Sequence, residues 1–307
     1  MFIIIEGADK TGKTTLANAI VKKFGSKYVH FGKPTKYPAT EYAEYALSTN
    51  GNVVLDRFYL GELVYGPLLR GKCGITPLEF VTLERILRLK QAIFIQTTTD
   101  VVLANKRLAV STQHEAVNDL QNEKAVSGFS LLQDKSKLQH VIKYDGSTKE
   151  NLANVLRQLS KLKDEVEKNQ KTIQKICTGI GTPVGPKIVF VGEAVNKRVT
   201  WLNLPFDKGV SSQFLFDSFQ LAGVPENKVY ICNADKLTST EVDFLTREKT
   251  VFVALGKKAE AKLKHLDVPC YTAPHPQFVK RFQWNDKDKY VAHFQSILKD
   301  ANYDTLQ

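Results

Sequence analysis

An α/β architecture, built as two three-layer α/β/α domains, follows from three features of the 307-residue sequence. Short β-branched or apolar runs alternate with longer segments of helical period. One stretch, Lys161 to Lys175, breaks the series with lysine, acid and glutamine and few apolar residues. The first strand on each side of it runs into a glycine turn, at Gly7 and at Gly192. The chain accordingly divides into a domain over 1–160, a charged linker over 161–185 and a second domain over 186–307.

The composition fits this division. A hydrophobic content of 43% and an aromatic content of 10% are those of a globular protein, with enough chain for two cores. No apolar stretch approaches the ~18 residues of a membrane span. The strand starting at Phe2 leaves no room for a leader, which predicts a cytoplasmic protein away from membranes. Cys73, Cys177, Cys232 and Cys270 stand far apart without a C-x-x-C pair, predicting reduced thiols and no zinc or iron–sulfur site. With 43 basic against 32 acidic residues the net charge is +11, which favours a polyanionic partner.

In chain order, Phe2-Ile3-Ile4-Ile5 reads as a buried strand. The next residues, Gly7-Ala8-Asp9-Lys10-Thr11-Gly12-Lys13-Thr14, fit G-x-x-x-x-G-K-[ST], and Thr15 follows. Leu16, Ile20 and Val21 then recur at helical spacing. Strand, glycine loop and helix together make a polyphosphate cradle from backbone N–H groups and a helix N-terminus. In it Lys13 reaches the β- and γ-phosphates of ATP, and the Thr14 hydroxyl ligates Mg2+. Lys27 to Phe31 is a second strand, ending in the loop Gly32-Lys33-Pro34-Thr35. A helix carrying Tyr42, Tyr45 and Ala46 leads to the strand Asn52 to Arg57. At the carboxyl end of that strand Asp56 can hold magnesium or its water, and Arg57 a phosphate. Ala92–Ile95 and Val141–Tyr144 are further strands; Asp100–Leu108 and Asn151–Leu162 are helices.

Residues 1–160 resemble the thymidylate kinase family. The resemblance rests on Glu6-Gly7-x-Asp9-x-x-Gly12-Lys13-Thr14-Thr15, on Asp56-Arg57-Phe58 against that family's Asp-Arg-Tyr, and on Leu63-x-Tyr65. It implies a P-loop kinase fold, an ATP-dependent phosphotransferase and a homodimer. It also implies catalytic roles for Lys13, Asp9, Asp56, Arg57 and Arg107, with Asp9 as base or orienting group and Arg107 at the start of a lid. Lys33, Arg57 and Tyr65 fall at substrate positions. Lysine at 33 stands where the family has an arginine-containing loop, and Gly61 and Gly66 replace the expected serine and glutamine.

The second series runs Lys187–Val191, Lys228–Asn233, Thr250–Leu255 and Val268–Tyr271, four strands of a parallel sheet with helical segments between. Its segments resemble the uracil-DNA glycosylase superfamily: Gly192-Glu193-Ala194 its first motif, Pro205-Phe206 its stacking aromatic, Asn233 its base-reading amide, His275-Pro276 its second loop. The resemblance implies a DNA-binding, base-recognising domain in which Glu193, Phe206, Asn233 and His275 meet the base. Val195-Asn196 and Gln277 depart from the motifs, and Glu193, Asn196 and Asp207 are the side chains left to activate a water.

Two readings join the halves. In one, a thymidylate kinase-like domain phosphorylates the hydroxymethyl group of 5-hydroxymethyluracil in viral DNA in the host cytoplasm, and the second domain reads the base. In the other, a thymidylate or deoxynucleotide kinase is fused to a glycosylase-like domain, degenerate or active.

Overall fold

The computed structural model describes residues 1–32, 36–110, 118–132, 136–185, 188–194, 202, 204–246, 249–282 and 287–301. It divides into two units, Met1–Gln170 and Lys171–Gln307.

In the first unit β1 (Phe2–Glu6) is buried at every position, which its run of isoleucines allows. Gly12 then turns the chain into α1 (Lys13–Phe24) with φ 92°, a left-handed conformation that favours glycine. β2 (Lys27–His30), α2 (Pro38–Ser48) and β3 (Val53–Asp56) follow. Next come α3 (Leu60–Arg70) and α4 (Pro77–Leu89), the latter opened by a Thr76–Glu79 capping box with Pro77 in its first turn. β4 (Ile93–Thr98), α5 (Val101–Ala109), α6 (Asp119–Leu132) and β5 (His140–Asp145) follow, and α7 (Lys149–Ile176) begins in this unit and ends past its boundary at Gln170.

The strands order as β2-β3-β1-β4-β5, and all pair in parallel. β1 is central, and the chain passes to opposite sides of it before β2 and before β4. The crevice outside its carboxyl end is therefore the switch point where such sheets bind ligands. Ile3, Ile5, Val54, Ile93 and Ile95 face Leu16 and Ile20 of α1 and Val155 and Leu159 of α7. The alternate residues Phe2, Ile4 and Glu6 face the other way, where Phe2 meets Phe58 edge-on at 6.3 Å.

The charged stretch that begins at Lys161, which its composition reads as an exposed helix or a linker, is helix through Ile176, and Val166 and Ile173 within it are buried. With Val155 and Leu159 they form a stripe spaced 4, 7 and 7 residues apart. So few apolar residues suffice because they stay in phase; charge-rich composition hid the buried face.

In the second unit β6 (Ile180–Gly181), β7 (Ile188–Gly192), α8 (Val210–Ala222), β8 (Val229–Asn233) and α9 (Ser239–Leu245) come first. β9 (Val251–Leu255), α10 (Lys257–His265), β10 (Cys270–Ala273), α11 (Pro276–Phe282) and α12 (Lys287–Asp300) follow. The order is β10-β9-β7-β8-β6. β6, within the segment read as linker over 161–185, adds a fifth strand and lies antiparallel to β8. A strand of two residues, one of them glycine, gives no alternation to detect. Phe190, Ile231, Val253 and Leu255 pack on Phe214 and Phe219 of α8 and on Phe294 of α12. Ala259 and Leu263 of α10 are buried, α10 packing on β9 and β10.

Candidate functional site

The switch point of the first unit opens into a cavity of about 910 Å³ whose lining includes Lys13, Thr14, Asp56, Arg57, Arg107 and Tyr144. Gly7, Ala8 and Asp9 leave β1 as the phosphate loop, Lys10, Thr11 and Gly12 continue it, and Lys13 to Thr15 begin α1. Thr11 braces the loop, its hydroxyl donating to Ala8 O at 2.8 Å and lying 2.6 Å from Thr97 Oγ1. The Lys13 ammonium is buried and donates to Gly7 O (2.9 Å) and Ala8 O (2.6 Å), with Asp9 Oδ1 at 3.8 Å. Burial lowers its pKa, and the Asp9 carboxylate opposes that. A polyphosphate would supply the missing counter-charge.

Asp56 closes β3 with three groups on one oxygen. Thr14 Oγ1 donates to Oδ2 at 3.0 Å, Tyr28 OH donates to it at 2.8 Å, and His30 Nδ1 lies 3.6 Å away. Its other oxygen, Oδ1, is buried without a hydrogen-bond partner among the described residues. A hard oxygen donor left free beside a threonine hydroxyl fits a magnesium ion or its bound water. Burial first, then the Asp56 carboxylate, pushes the Tyr28 hydroxyl up to about 12, so it stays a donor.

Arg57 is held at φ 67°, its N–H donating to Ile5 O at 3.0 Å. That backbone throws its guanidinium onto Asp9 Oδ1 at 2.5 Å. Arg107, expected at the start of the lid, lies in the last turn of α5 and lines the cavity: Nη1 donates to Lys10 O (3.1 Å) and Nη2 to Gly146 O (2.9 Å). Tyr65 is half-buried on α3 against Phe129, ring centroids 5.7 Å apart, and burial raises its pKa. Lys33 lies outside the described residues, as does 111–117 of the expected lid. Sequence reading missed Tyr28, His30 and Tyr144. The first two alternate along β2 and so share a face, a period-2 signal that was available.

The carboxyl ends of β7, β8 and β10 converge in the second unit. Gly192 is a register partner of Asn233, and a Cβ on it would lie 2.6 Å from the Phe206 ring and 2.8 Å from Asn233 Oδ1. Only glycine permits ring and amide to meet there. Asn233 is buried and its Nδ2 has no hydrogen-bond partner among the described residues. The Phe206 and His275 rings stand 6.1 Å apart, 35° from parallel. His275 Nδ1 accepts from Gln277 N at 3.2 Å, and burial lowers the ring's pKa against the opposing pull of Glu193. The neutral ring therefore carries its proton on Nε2, as a donor. Glu193 Oε1 accepts weakly from Lys258 N at 3.4 Å, at the start of α10. Asp207 is turned inward: its Oδ2 accepts from Leu202 N (2.5 Å) and Leu204 N (3.1 Å). It braces the loop before α8 rather than facing a base. Val195-Asn196 lies outside the described residues.

A stacking ring, a free amide and an imidazole N–H are the parts needed to bind a flipped pyrimidine. The phosphate loop, the Thr14–Asp56 pair and the Arg57 cation are those needed to hold a nucleoside triphosphate. Among the described residues, no helix is long and apolar enough to cross a membrane.

Comparison with known proteins bears on each half. No curated protein sequence matches the chain. Solved structures similar to it include the YorR protein of Bacillus subtilis in complex with phosphorylated GDP, 21% identical, covering 54% of this chain and 98% of that one at TM-score 0.46. Another is deoxyadenosine kinase from M. mycoides with dCMP and dCDP, 15% identical, covering 53% of this chain and 100% of that one at TM-score 0.39. Residues 178–301, the span that holds Gly192, Phe206, Asn233 and His275, match the model of the Uracil DNA glycosylase superfamily.

Proposed function

We propose that the chain is an ATP-dependent kinase that phosphorylates the hydroxymethyl group of 5-hydroxymethyluracil in DNA, as in viral thymidine hypermodification. The observation that carries this reading is the presence, in one basic chain, of a phosphate-loop cavity and a base-reading cluster whose Asn233 amide lacks a partner. A thymine-like base bearing a free hydroxyl is a substrate that both can use.

Gly7 to Thr15 wrap the triphosphate, and Lys13 exchanges the carbonyls of Gly7 and Ala8 for phosphate oxygens. Thr14 and Asp56 would hold magnesium, which supplies charge neutralisation on the β- and γ-oxygens when bound. Arg57 is placed to stabilise the three equatorial oxygens of the transferring group. The hydroxymethyl oxygen forms the new bond to the γ-phosphorus while the bond to the bridging oxygen breaks and ADP leaves. Asp9, released from Arg57 once phosphate oxygens take its place there, takes the hydroxyl proton. In the second unit, and as a separate recognition step on the same DNA, Phe206 would stack such a base, Asn233 would read its imide edge and His275 Nε2–H would meet a carbonyl. The +11 charge draws in the DNA backbone.

The test offers γ-labelled ATP and magnesium to duplex DNA containing 5-hydroxymethyluracil and, in parallel, to dTMP. Label on the DNA, lost in Lys13→Ala, is the expected result. Label on dTMP alone overturns the reading in favour of a free-nucleotide kinase fused to a base-binding domain.

A further inference from the structure

His30 lines the cavity of the first unit and has no role in the reading so far. It is the register partner of Asp56 on the neighbouring parallel strand, so the two side chains leave the sheet on one face. The backbone beneath the imidazole is anchored. Phe31 N donates to Asp56 O at 3.1 Å, and the Phe31 ring packs edge-on against Tyr42, Tyr45 and Phe58, with centroids 5.1–5.4 Å away.

The Asp56 carboxylate is fixed as well, Thr14 Oγ1 and Tyr28 OH both donating to its Oδ2 at 3.0 and 2.8 Å. His30 Nδ1 stands 3.6 Å from that same oxygen. Two donors each about 2.1 Å from one ion lie roughly 3 Å apart when adjacent in an octahedral shell, and about 4.2 Å apart when opposed. The observed separation falls between these values. The imidazole, with 44% of its side chain exposed, also has room to adjust. A bare ion pair would leave Asp56 Oδ1, buried and without a hydrogen-bond partner among the described residues, with no purpose. A cation gives the carboxylate and the imidazole one shared partner. Among the described residues, no three His, Cys, Asp or Glu side chains gather closely enough to hold such an ion unaided. Phosphate oxygens must complete the shell, so the ion arrives with the nucleotide.

Magnesium prefers an all-oxygen shell, whereas imidazole nitrogen suits first-row transition ions. We propose that His30 is a nitrogen ligand of the nucleotide-bound cation, and that the site thereby selects a first-row divalent transition ion over magnesium. This rests on the phosphotransferase reading and deepens it, since that reading needs a cation at Thr14 and Asp56 but gives it no nitrogen.

The experiment loads the whole chain with a non-hydrolysable ATP analogue and manganese and reads the metal by pulsed electron paramagnetic resonance. The coupling of a directly bound nitrogen is expected. It should change when the histidines are labelled with heavy nitrogen, which sets it apart from the nitrogens of adenine and lysine. His30→Ala should abolish the coupling and lower the ratio of manganese to magnesium affinity by about tenfold, while the analogue binds within about threefold of the parent in magnesium. His30→Gln, offering oxygen in place of nitrogen, should likewise lose the signal. Manganese seated with the analogue but without a histidine coupling overturns the proposal and reduces His30 to an ion-pair partner of Asp56. A coupling that survives in both variants overturns it too. Failure of the analogue to bind overturns it together with the phosphotransferase reading. A histidine coupling lost in both variants, with no transfer of label to DNA or to dTMP, upholds the metal site and sinks only that reading.

Discussion

Arg57 Nη2 lies 2.5 Å from Asp9 Oδ1, across the mouth of the phosphate loop. Asp9 also stands 3.8 Å from Lys13, so one carboxylate is shared by the two cations that a triphosphate needs. The arrangement keeps both side chains in place while the loop is empty of anions. It costs little to undo, because phosphate oxygens replace the carboxylate on Arg57 with equal charge.

Arg57→Lys tests whether the planar fork matters. A lysine keeps the charge but neither the paired N–H geometry nor the contact that the φ of 67° delivers. Turnover should fall on the order of 10²-fold, in line with removal of one preorganised donor, while ATP affinity changes much less. Equal losses in both would assign Arg57 to ground-state binding instead.

The metal pair is tested without turnover. Asp56→Asn keeps an acceptor for Thr14 and Tyr28 but replaces a charged donor oxygen with a neutral one. Manganese titrated as a magnesium substitute in the presence of an ATP analogue, read by electron paramagnetic resonance, should bind the variant at least about tenfold more weakly. Tyr28→Phe should weaken it less, since Thr14 still holds Oδ2. Unchanged manganese affinity in Asp56→Asn would remove Asp56 from the metal site.

The sequence made the phosphate loop legible because its chemistry is local: eight consecutive residues carry the glycines, the lysine and the hydroxyl, and strand and helix flank them. Asp56 and Arg57 were legible for a similar reason, sitting at the end of an apolar run. Tyr28, His30 and Tyr144 were not, because they reach the cavity through strand pairing, and their own stretches read as ordinary strand. Arg107 was found, but its contacts with Lys10 O and Gly146 O depend on where β5 ends. The stretch over 161–176 reads as an exposed helix or a linker, and its buried stripe was not legible because Val166 and Ile173 are spaced more widely than a window of charges lets through. In the second unit the motif residues were visible, whereas the inward turn of Asp207 rests on two backbone contacts no pattern announces.

Glu6 gives the first unit a pH signature. Burial pushes its carboxyl from 4.5 up to about 7, the backbone donors of Gly61, Phe58 and Leu60 opposing. Lys13, Tyr42, Tyr59 and Tyr65 are the other titratable groups facing it. A raised folded pKa means that the native state holds the proton more tightly, so the stabilisation is complete below pH 4.5 and is lost as pH rises through 7. Its size is of order 3 kcal/mol. Denaturant unfolding of the parent should weaken between pH 5 and 8 at roughly this scale, and Glu6→Gln should flatten the trend. A parent whose first unit gains stability over that range would contradict the assignment. His275 works with the opposite sign in the second unit: its lowered pKa contributes stability above 6.5 that fades as pH falls.

Asn233 separates stability from recognition. Its Nδ2 is buried and unpaired, so the amide costs the folded protein about 1–3 kcal/mol while it waits for a base. Asn233→Leu fills nearly the same volume without the polar atoms. That variant should unfold at the same or a higher denaturant concentration than the parent, where a core substitution usually lowers it. Binding to an oligonucleotide carrying 5-hydroxymethyluracil, measured by fluorescence anisotropy against the thymine-free sequence, should lose its base preference. Binding to the backbone should persist, because the net charge is unchanged. A variant that is destabilised yet keeps the preference would show the amide to be a structural cap on β8; one that gains stability and loses the preference identifies Asn233 as the group held in readiness for the base.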